Sequence, residues 1–297
     1  NSGELQNSGI EIQLDAVIIN RPSGFTWDAM LTYTKNNSLV KSIHPDLNSI
    51  ILNSAWHANI QAIPGQEYGL IYGYDWKRDE NGNRLIDSRG WPMQGDLVSH
   101  GSINPDFIFG FRNSFSYKGF NLSFLIDGTI GAEIYSWGKT YKMLWGTDAE
   151  TLEGRAEWFD THDSNGFPIS GVEPGGYIFE GVMEDSGEPN TIPIEDPAYR
   201  GYLPYKDQVI TESVFDASSI RIREAMLSYT FPYKLVSKWK MTNLSLALTG
   251  RNLYFFYKPV DHIDPEAGYS SGNTGNGIEQ STLPSTRSIG FNLRVGF

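Results

Sequence analysis

Hydrophobic and polar residues alternate along seven segments of the chain. The last segment is the clearest, because the apolar residues at positions 289, 291, 293, 295 and 297 alternate with Ser, Gly, Asn, Arg and Gly. A period of two gives a strand one apolar and one polar face, so each segment predicts a half-buried β-strand. The predicted strands span residues 10–18, 25–33, 107–117, 120–134, 219–231, 244–256 and 287–297. Two of them change phase midway, which predicts β-bulges within 224–227 and 250–253.

The links between these segments are short and long in turn. Short links at 20–24, 118–119 and 232–242 alternate with long ones at 41–104, 136–217 and 257–286. If the last strand runs towards the periplasm, all the short links are periplasmic and all the long ones lie outside, as in bacterial outer-membrane barrels. Seven strands cannot close such a barrel, so we expect further strands of the same protein upstream.

A soluble β-sandwich stays open as the alternative, because sandwich strands also alternate. Such a protein would be secreted and would bind or cleave glycans. The two folds differ in what the apolar strand face contacts, which is lipid in a barrel and a second sheet in a sandwich.

Composition and charge narrow the possible functions. The chain has 297 residues, of which 39% are hydrophobic and 13% aromatic, and no stretch approaches the roughly 20 apolar residues of a spanning helix. The absence of cysteine excludes disulfides and thiolate sites, and a net charge of −12 disfavours a nucleic-acid partner. The first residues lack a Met start and a secretory signal, so we expect either processing or a chain that begins within a longer protein.

Several short motifs, in their order and spacing, resemble the SusC/RagA family of TonB-dependent outer-membrane transporters over nearly the whole chain. The motifs are Gly3-Glu4-Leu5-Gln6-Asn7-Ser8-Gly9-Ile10-Glu11, the pattern from Trp27 to Val40, Gly73-Tyr74 followed by Asn81-Gly82-Asn83 and Gly90-Trp91-Pro92-Met93, Asn104-Pro105-Asp106-Phe107, Gly250-Arg251-Asn252-Leu253, Asp264-Pro265-Glu266 and Leu283-Pro284-Ser285-Thr286-Arg287.

The resemblance implies an all-β fold in which residues 1–297 form the C-terminal portion, about seven strands, of a large antiparallel transmembrane β-barrel with long extracellular loops. In this family the complete barrel has 22 strands and encloses a plug, and both the plug and the segment contacted by TonB would precede Asn1. The implied function is import of an oligosaccharide or peptide across the outer membrane of a Gram-negative bacterium, together with a SusD-like lipoprotein and without catalysis.

Four tryptophans are candidate substrate-binding residues. Trp137, Trp145 and Trp158 fall in the second long link and Trp91 in the first, where their rings could stack on sugar rings or peptide side chains. Residues 148–216 contain sixteen acidic residues and three basic ones. The simpler interpretation of this second link is a solvated loop that packs on the SusD-like lipoprotein.

The remaining candidates are the terminal residue and two oxygen-rich loops. Phe297 ends an alternating strand and resembles the terminal aromatic signal that is read by the barrel-assembly machinery. Asp79 with Asn81, and Asp160 with Asp163, have spacings similar to calcium loops but lack the closing Glu, so no metal is assigned and calcium is only a weak candidate. The five histidines form no metal motif, and no catalytic motif is present, so we predict no enzymatic activity.

Overall fold

The structure, a computed structural model, describes residues 3–21, 24–194, 196–197, 200–268 and 277–297, with residues 202 and 203 described by their backbone alone. The strands are β1 Glu4–Asn20, β2 Thr26–Ser42, β3 Ile50–Ala55, β4 Ala58–Ala62, β5 Leu70–Trp76, β6 Leu85–Ile86, β7 Gln94–Ser102, β8 Phe107–Tyr117, β9 Phe120–Ile130, β10 Glu133–Ser136, β11 Val182–Met183, β12 Val214–Asp216, β13 Ser219–Thr230, β14 Asn243–Tyr257, β15 Ile278–Glu279 and β16 Ser288–Gly296. The helices are α1 Trp137–Leu144, α2 Arg155–Thr161, α3 Tyr202–Lys206 and α4 Tyr233–Val236.

Seven long strands form one antiparallel sheet in the order β1-β2-β8-β9-β13-β14-β16. Each contains or closely matches one of the alternating segments, so the predicted strands are confirmed. The predicted segment 120–134 is longer than the strand, because β9 ends at Ile130 and Ile134 belongs to β10, a separate strand. Gly131 has φ +88 and breaks the strand there.

One face of this sheet is apolar across all seven strands. The paired residues Phe115, Leu122, Leu227, Leu248 and Phe291 form one continuous row on it. Leu248 is 55% exposed and Phe291 74% exposed, so no layer formed by the described residues covers this row. The opposite face carries Ser, Thr, Asn, Asp and Arg side chains. An apolar outer face and a polar inner face are the arrangement of a transmembrane barrel wall.

Aromatic side chains gather near both ends of the apolar face. Close to the short links, Trp27 stacks on Phe115 at 5.6 Å, and Phe120 contacts Tyr229 at 4.4 Å between ring centroids. Near the long links, Tyr33 stacks on Phe107 at 5.5 Å. Two such rows match the aromatic girdles that outer-membrane barrels place at the two membrane interfaces.

The sheet is not half of a sandwich. No second sheet packs face to face on the seven strands within the described ranges, so the β-sandwich alternative is wrong. In the part of the chain that the structure describes, β1 and β16 each have one unpaired edge. Among the described residues, no helix is both long enough and apolar enough to span a membrane.

The two predicted bulges have different outcomes. In β14 the irregularity lies at Asn252 and Leu253, inside the predicted segment, and Asn252 has φ +50. In β13 the prediction of 224–227 is wrong, because the register shifts between Ile222 and Glu224. The extra residue there is Arg223, whose guanidinium binds Asp127 on the polar face, and this contact holds the bulge in place.

The long links are folded rather than irregular. The first contains a four-stranded sheet, β3-β4-β5-β7, and the second and third contribute to a three-stranded sheet, β12-β10-β15. A shared core joins the two sheets and consists of Ala58, Ile60, Ile71, Tyr135, Ile210 and Ile278, each at most 1% exposed. We call this assembly the loop layer. By contrast, the link at 118–119 is a tight two-residue turn with positive φ at Lys118 and Gly119.

Candidate functional site

Helix α1 is fixed in the loop layer by buried polar contacts. The Ser136 hydroxyl accepts a hydrogen bond from the Lys139 N–H at 3.0 Å and donates one to the buried Glu279 carboxylate at 2.6 Å. The Lys139 ammonium lies between Asp148 at 2.9 Å and Glu150 at 2.6 Å. Because this lysine is almost fully buried, its two carboxylate partners offset the cost of removing it from water.

An aromatic cluster lies along one side of α1. Trp137, Tyr141 and Trp145 are four residues apart, which places them on one helix face. Trp56, at the turn between β3 and β4, contacts Trp137 at 5.1 Å and Tyr141 at 5.6 Å between ring centroids. Tyr205 on α3 approaches Trp56 at 4.9 Å. These five residues are called the aromatic cluster below.

Three of the five rings in the aromatic cluster are exposed to solvent. Trp145 is 64% exposed, Tyr141 47% and Trp56 39%. Burial lowers the pKa of the adjacent His57 below its ordinary value, so its imidazole is neutral at pH 7. Neutral, partly exposed aromatic faces suit stacking on sugar rings or on apolar peptide side chains.

The predicted tryptophans separate into two groups. Trp137 and Trp145 belong to the aromatic cluster, whereas Trp158 stacks on His162 at 4.5 Å and Trp91 packs on Phe179 at 5.7 Å. Trp158 and Trp91 are therefore partly buried by local packing, away from the cluster. Trp56, Tyr141 and Tyr205 are not among the predicted binding residues, although the spacing of four residues from Trp137 is a signal for Tyr141.

The two calcium-like loops share one turn geometry. The carboxylate of Asp79 accepts the N–H groups of Asn81 at 2.9 Å and Asn83 at 2.8 Å. The carboxylate of Asp163 accepts those of Asn165 at 2.8 Å and Phe167 at 3.0 Å. A hydrogen bond from the Asn83 side-chain amide, together with the backbone N–H bonds, lowers the pKa of Asp79, and the backbone N–H bonds lower the pKa of Asp163.

A third copy of this turn runs from Asp87 to Trp91. In all three copies a glycine at the fourth position, Gly82, Gly90 or Gly166, has φ between +80 and +85. The repeat Asp-x-x-Gly is thus explained by turn formation.

The geometry of these turns adds no support for a metal site. Asn81 donates its backbone N–H to the first turn, and Asp160 is exposed on α2 outside the second. Among the described residues, no group of three or more His, Asp or Glu side chains is arranged to hold a metal. Calcium binding stays a prediction.

Ion pairs hold the third long link against the polar face of the sheet. Arg223 binds Asp127 and Glu266, each at 2.5 Å, and the fully buried Arg221 also pairs with Glu266. Burial alone would raise the pKa of Glu266, but hydrogen bonds from both arginines lower it below the ordinary value. The Asp264-Pro265-Glu266 motif therefore fixes this link to the sheet. At the end of the chain, Phe297 follows β16 and is 86% exposed, and its role in assembly stays a prediction.

Comparisons with known proteins cover the whole chain. No family model matches it. It is 23% identical to TonB-dependent receptor P3 and 25% identical to TonB-dependent receptor P26, both from Formosa agariphila, over its full length. The chain spans 29% and 30% of the length of these two proteins.

Solved structures show the same fold. The structure of the RagAB peptide transporter matches 100% of the chain, with a TM-score of 0.65 and 15% identity. The RagAB peptide importer in its closed-closed state matches with a TM-score of 0.62 and 16% identity. In each case the chain corresponds to 30% of the matched chain.

Proposed function

We propose that the chain is part of a TonB-dependent receptor barrel of the SusC/RagA type, and that the whole protein imports a nutrient across the outer membrane of a Gram-negative bacterium. We place residues 1–297 at the C-terminal end of that barrel. The relatives are receptors and a transporter, so the prediction that the chain is not an enzyme is confirmed.

The observation that best supports this proposal is the uncovered apolar face of the seven-stranded sheet. Leu248, Phe291 and their neighbours along the row would meet water in a soluble protein, and a continuous apolar surface of this extent is rare on soluble monomers. Lipid is the natural contact for it, while the polar face lines the lumen.

The unpaired edges of β1 and β16 indicate which partners the chain needs. Each unpaired backbone group in lipid costs several kcal/mol, so both edges pair with further strands of the same protein. The plug and the contact with TonB belong to the part of the protein outside this chain. We assign a SusD-like lipoprotein as the lid above the loop layer, as the resemblance to the SusC/RagA family implies, and the match to the RagAB peptide transporter supports this assignment.

The aromatic cluster is the best-supported substrate contact in this chain. Its exposed rings lie in the loop layer, at the end of the barrel opposite the short turns. A substrate captured between the loop layer and the lid would stack on Trp145 and Tyr141 before it enters the lumen. An oligosaccharide and a peptide are both compatible with such rings.

The test compares uptake by cells that carry the full-length receptor with or without the Trp145→Ala substitution. The matched control is Trp239→Ala, since Trp239 is 57% exposed in the short link between β13 and β14, at the opposite end of the sheet. We expect Trp145→Ala to reduce uptake by about 5- to 10-fold, the loss of one stacked ring. Equal uptake by both variants would exclude the cluster as a substrate contact. A full-length receptor that is water-soluble without detergent would exclude the importer itself.

A further inference from the structure

The end of the sheet that carries the three short links has positive charge alone. The links at 20–24, 118–119 and 232–242 contain five basic residues and no acidic one. The chain as a whole has 35 acidic residues and 23 basic ones, a net charge of −12. The charge of this end is therefore opposite to that of the whole chain. We call its five basic residues the basic end: Arg21, Lys118, Lys234, Lys238 and Lys240.

The described part of the chain does not neutralise the charge of the basic end. All five residues are exposed, and none of them forms an ion pair with a described residue. The Lys118 ammonium lies over the Tyr117 ring at 5.2 Å from the ring centre, and an aromatic ring leaves the positive charge in place. These cations are thus available to an anion from outside the chain.

Hydrogen bonds and one buried side chain fix the position of the lysines. The Thr230 N–H at the end of β13 donates to the Gly119 carbonyl at 2.8 Å, which joins the second short link to the third. The Thr242 N–H donates to the Gly296 carbonyl at 2.8 Å, which joins the third link to β16. Within the third link, Val236 of α4 is fully buried. Because β9 and β13 are neighbours in the sheet, the lysines of these two links lie along one folded edge.

This edge is continuous with the aromatic row of the apolar face. Phe120 directly follows the Lys118-Gly119 turn and contacts Tyr229 at 4.4 Å, and Tyr229 contacts Phe231 at 4.8 Å between ring centroids. In the third link, Tyr233 is 67% exposed and Leu235 40% exposed. Aromatic side chains of membrane proteins lie at the level of the lipid headgroups, and lysines beside them extend their ammonium groups to the same level. The basic end therefore lies at the depth of the headgroups.

We propose that the basic end binds the phosphate groups of anionic phospholipids in the periplasmic leaflet of the outer membrane. A lysine near an anionic lipid surface contributes about 1 kcal/mol, which is about fivefold in affinity. A lipid surface fits better than an acidic protein, because the charges follow the hairpin turns beside the lipid-facing row. This inference rests on the proposed placement of the sheet in the outer membrane, and it concerns a lipid contact that is separate from substrate capture.

The experiment measures which lipids the purified full-length protein retains. The protein is incubated in a neutral detergent with equal amounts of phosphatidylglycerol and phosphatidylcholine of the same acyl chains, and native mass spectrometry counts the bound lipids. We expect about five- to tenfold more phosphatidylglycerol than phosphatidylcholine on the protein. Equal retention of the two lipids would overturn the proposal in favour of an acidic protein partner.

Variants of the third link connect that preference to the lysines. The combined substitution Lys234→Gln, Lys238→Gln and Lys240→Gln should reduce the preference to twofold or less, at about the same side-chain length. The combined substitution of the same three lysines by Arg keeps the charge and should keep the preference. Lys240 has φ +59, and since Gln and Arg both carry a Cβ like Lys, neither changes the backbone cost there. Heat-dependent gel migration checks that each barrel is closed.

The matched control removes three exposed lysines from the opposite end of the sheet and the loop layer. Lys41→Gln, Lys142→Gln and Lys206→Gln together change the net charge by the same amount and should leave the preference intact. A preference that survives the Gln substitutions in the third link, or that the control also removes, would overturn the proposal. A protein that shows no lipid preference and still imports its nutrient would overturn this inference alone, whereas solubility without detergent would overturn the proposed function.

Discussion

Leu248 gives the sharpest test of which sheet face contacts lipid. It lies on the apolar face between Leu227 and Phe291, and strands on both sides of it are present in the chain. Its 55% exposure is therefore a property of the barrel wall and not of an open edge. Substitution of Leu248 by Arg places a charge in the hydrocarbon region if this face is outward, and in solvent otherwise.

The expected cost follows from the depth of the residue. The Tyr229–Leu246 pair marks the aromatic row near the short links, and Leu248 lies two residues further along β14, about 6.6 Å at 3.3 Å per residue. An arginine on the lipid face costs about 2–4 kcal/mol at the midplane and about 0–1 kcal/mol near the interface. At this intermediate depth we expect Leu248→Arg to lower the free energy of unfolding by about 1–3 kcal/mol.

The matched control is Thr249→Arg, one residue along the same strand and on the polar face. It removes one hydrogen bond, from the Thr249 hydroxyl to the Gly290 carbonyl at 3.3 Å, which is worth about 1 kcal/mol or less. Both variants of the full-length protein are folded into lipid vesicles, and the folded fraction is measured against urea by heat-dependent gel migration. Equal destabilisation by the two substitutions, or a larger effect of Thr249→Arg, would refute the assignment of the faces.

Three further predictions concern the loop layer and the end of the chain. Burial and the facing Asp216 raise the pKa of Glu133 from 4.5 to about 7, so the folded protein binds a proton at Glu133 more tightly than the unfolded chain does. Urea midpoints should therefore fall as pH rises from 4.5 to 7, and Glu133→Gln should reduce this fall. Glu266→Gln removes an acidic partner of Arg223 and should therefore speed protease cleavage within 258–287, which mass spectrometry detects. An unchanged cleavage pattern would contradict the role of this ion pair in holding the third long link to the sheet. Phe297→Ala should lower the amount of heat-shifting barrel in membranes, whereas wild-type amounts would exclude an assembly role.

The strands of the barrel wall could be predicted from the sequence because each has one apolar and one polar face. The strands of the loop layer lack that signal. In β4 the residues Ala58, Ile60, Gln61 and Ala62 are all buried, so both faces are covered and no alternation results. A strand of five residues without a period of two cannot be distinguished from an irregular segment by pattern alone.

The candidate site was only partly predictable for a related reason. Trp137 and Trp145 stand in one link of the sequence, but Trp56 is about eighty residues earlier, at a hairpin turn where it has φ +50. Only the packing of β4 and β5 against β10 brings these side chains together. Likewise Asp79 and Asp163 were singled out for their oxygen-rich spacing, although the same spacing forms a hydrogen-bonded turn.

The bulge at Arg223 connects the barrel wall with the loop layer. A regular β13 would place Glu224 on the apolar face, but the extra residue turns Arg223 and Glu224 both towards the polar face. Arg223 and the buried Arg221 can then share Asp127 on β9 and Glu266 on the third long link. Removing Glu266 would leave the buried Arg221 with only the more distant Asp127 at 3.8 Å, which is costly. Glu266 of the Asp264-Pro265-Glu266 motif therefore supplies the negative charge that the two arginines of β13 need. The bulge at Arg223 makes this contact between the barrel wall and the third long link possible.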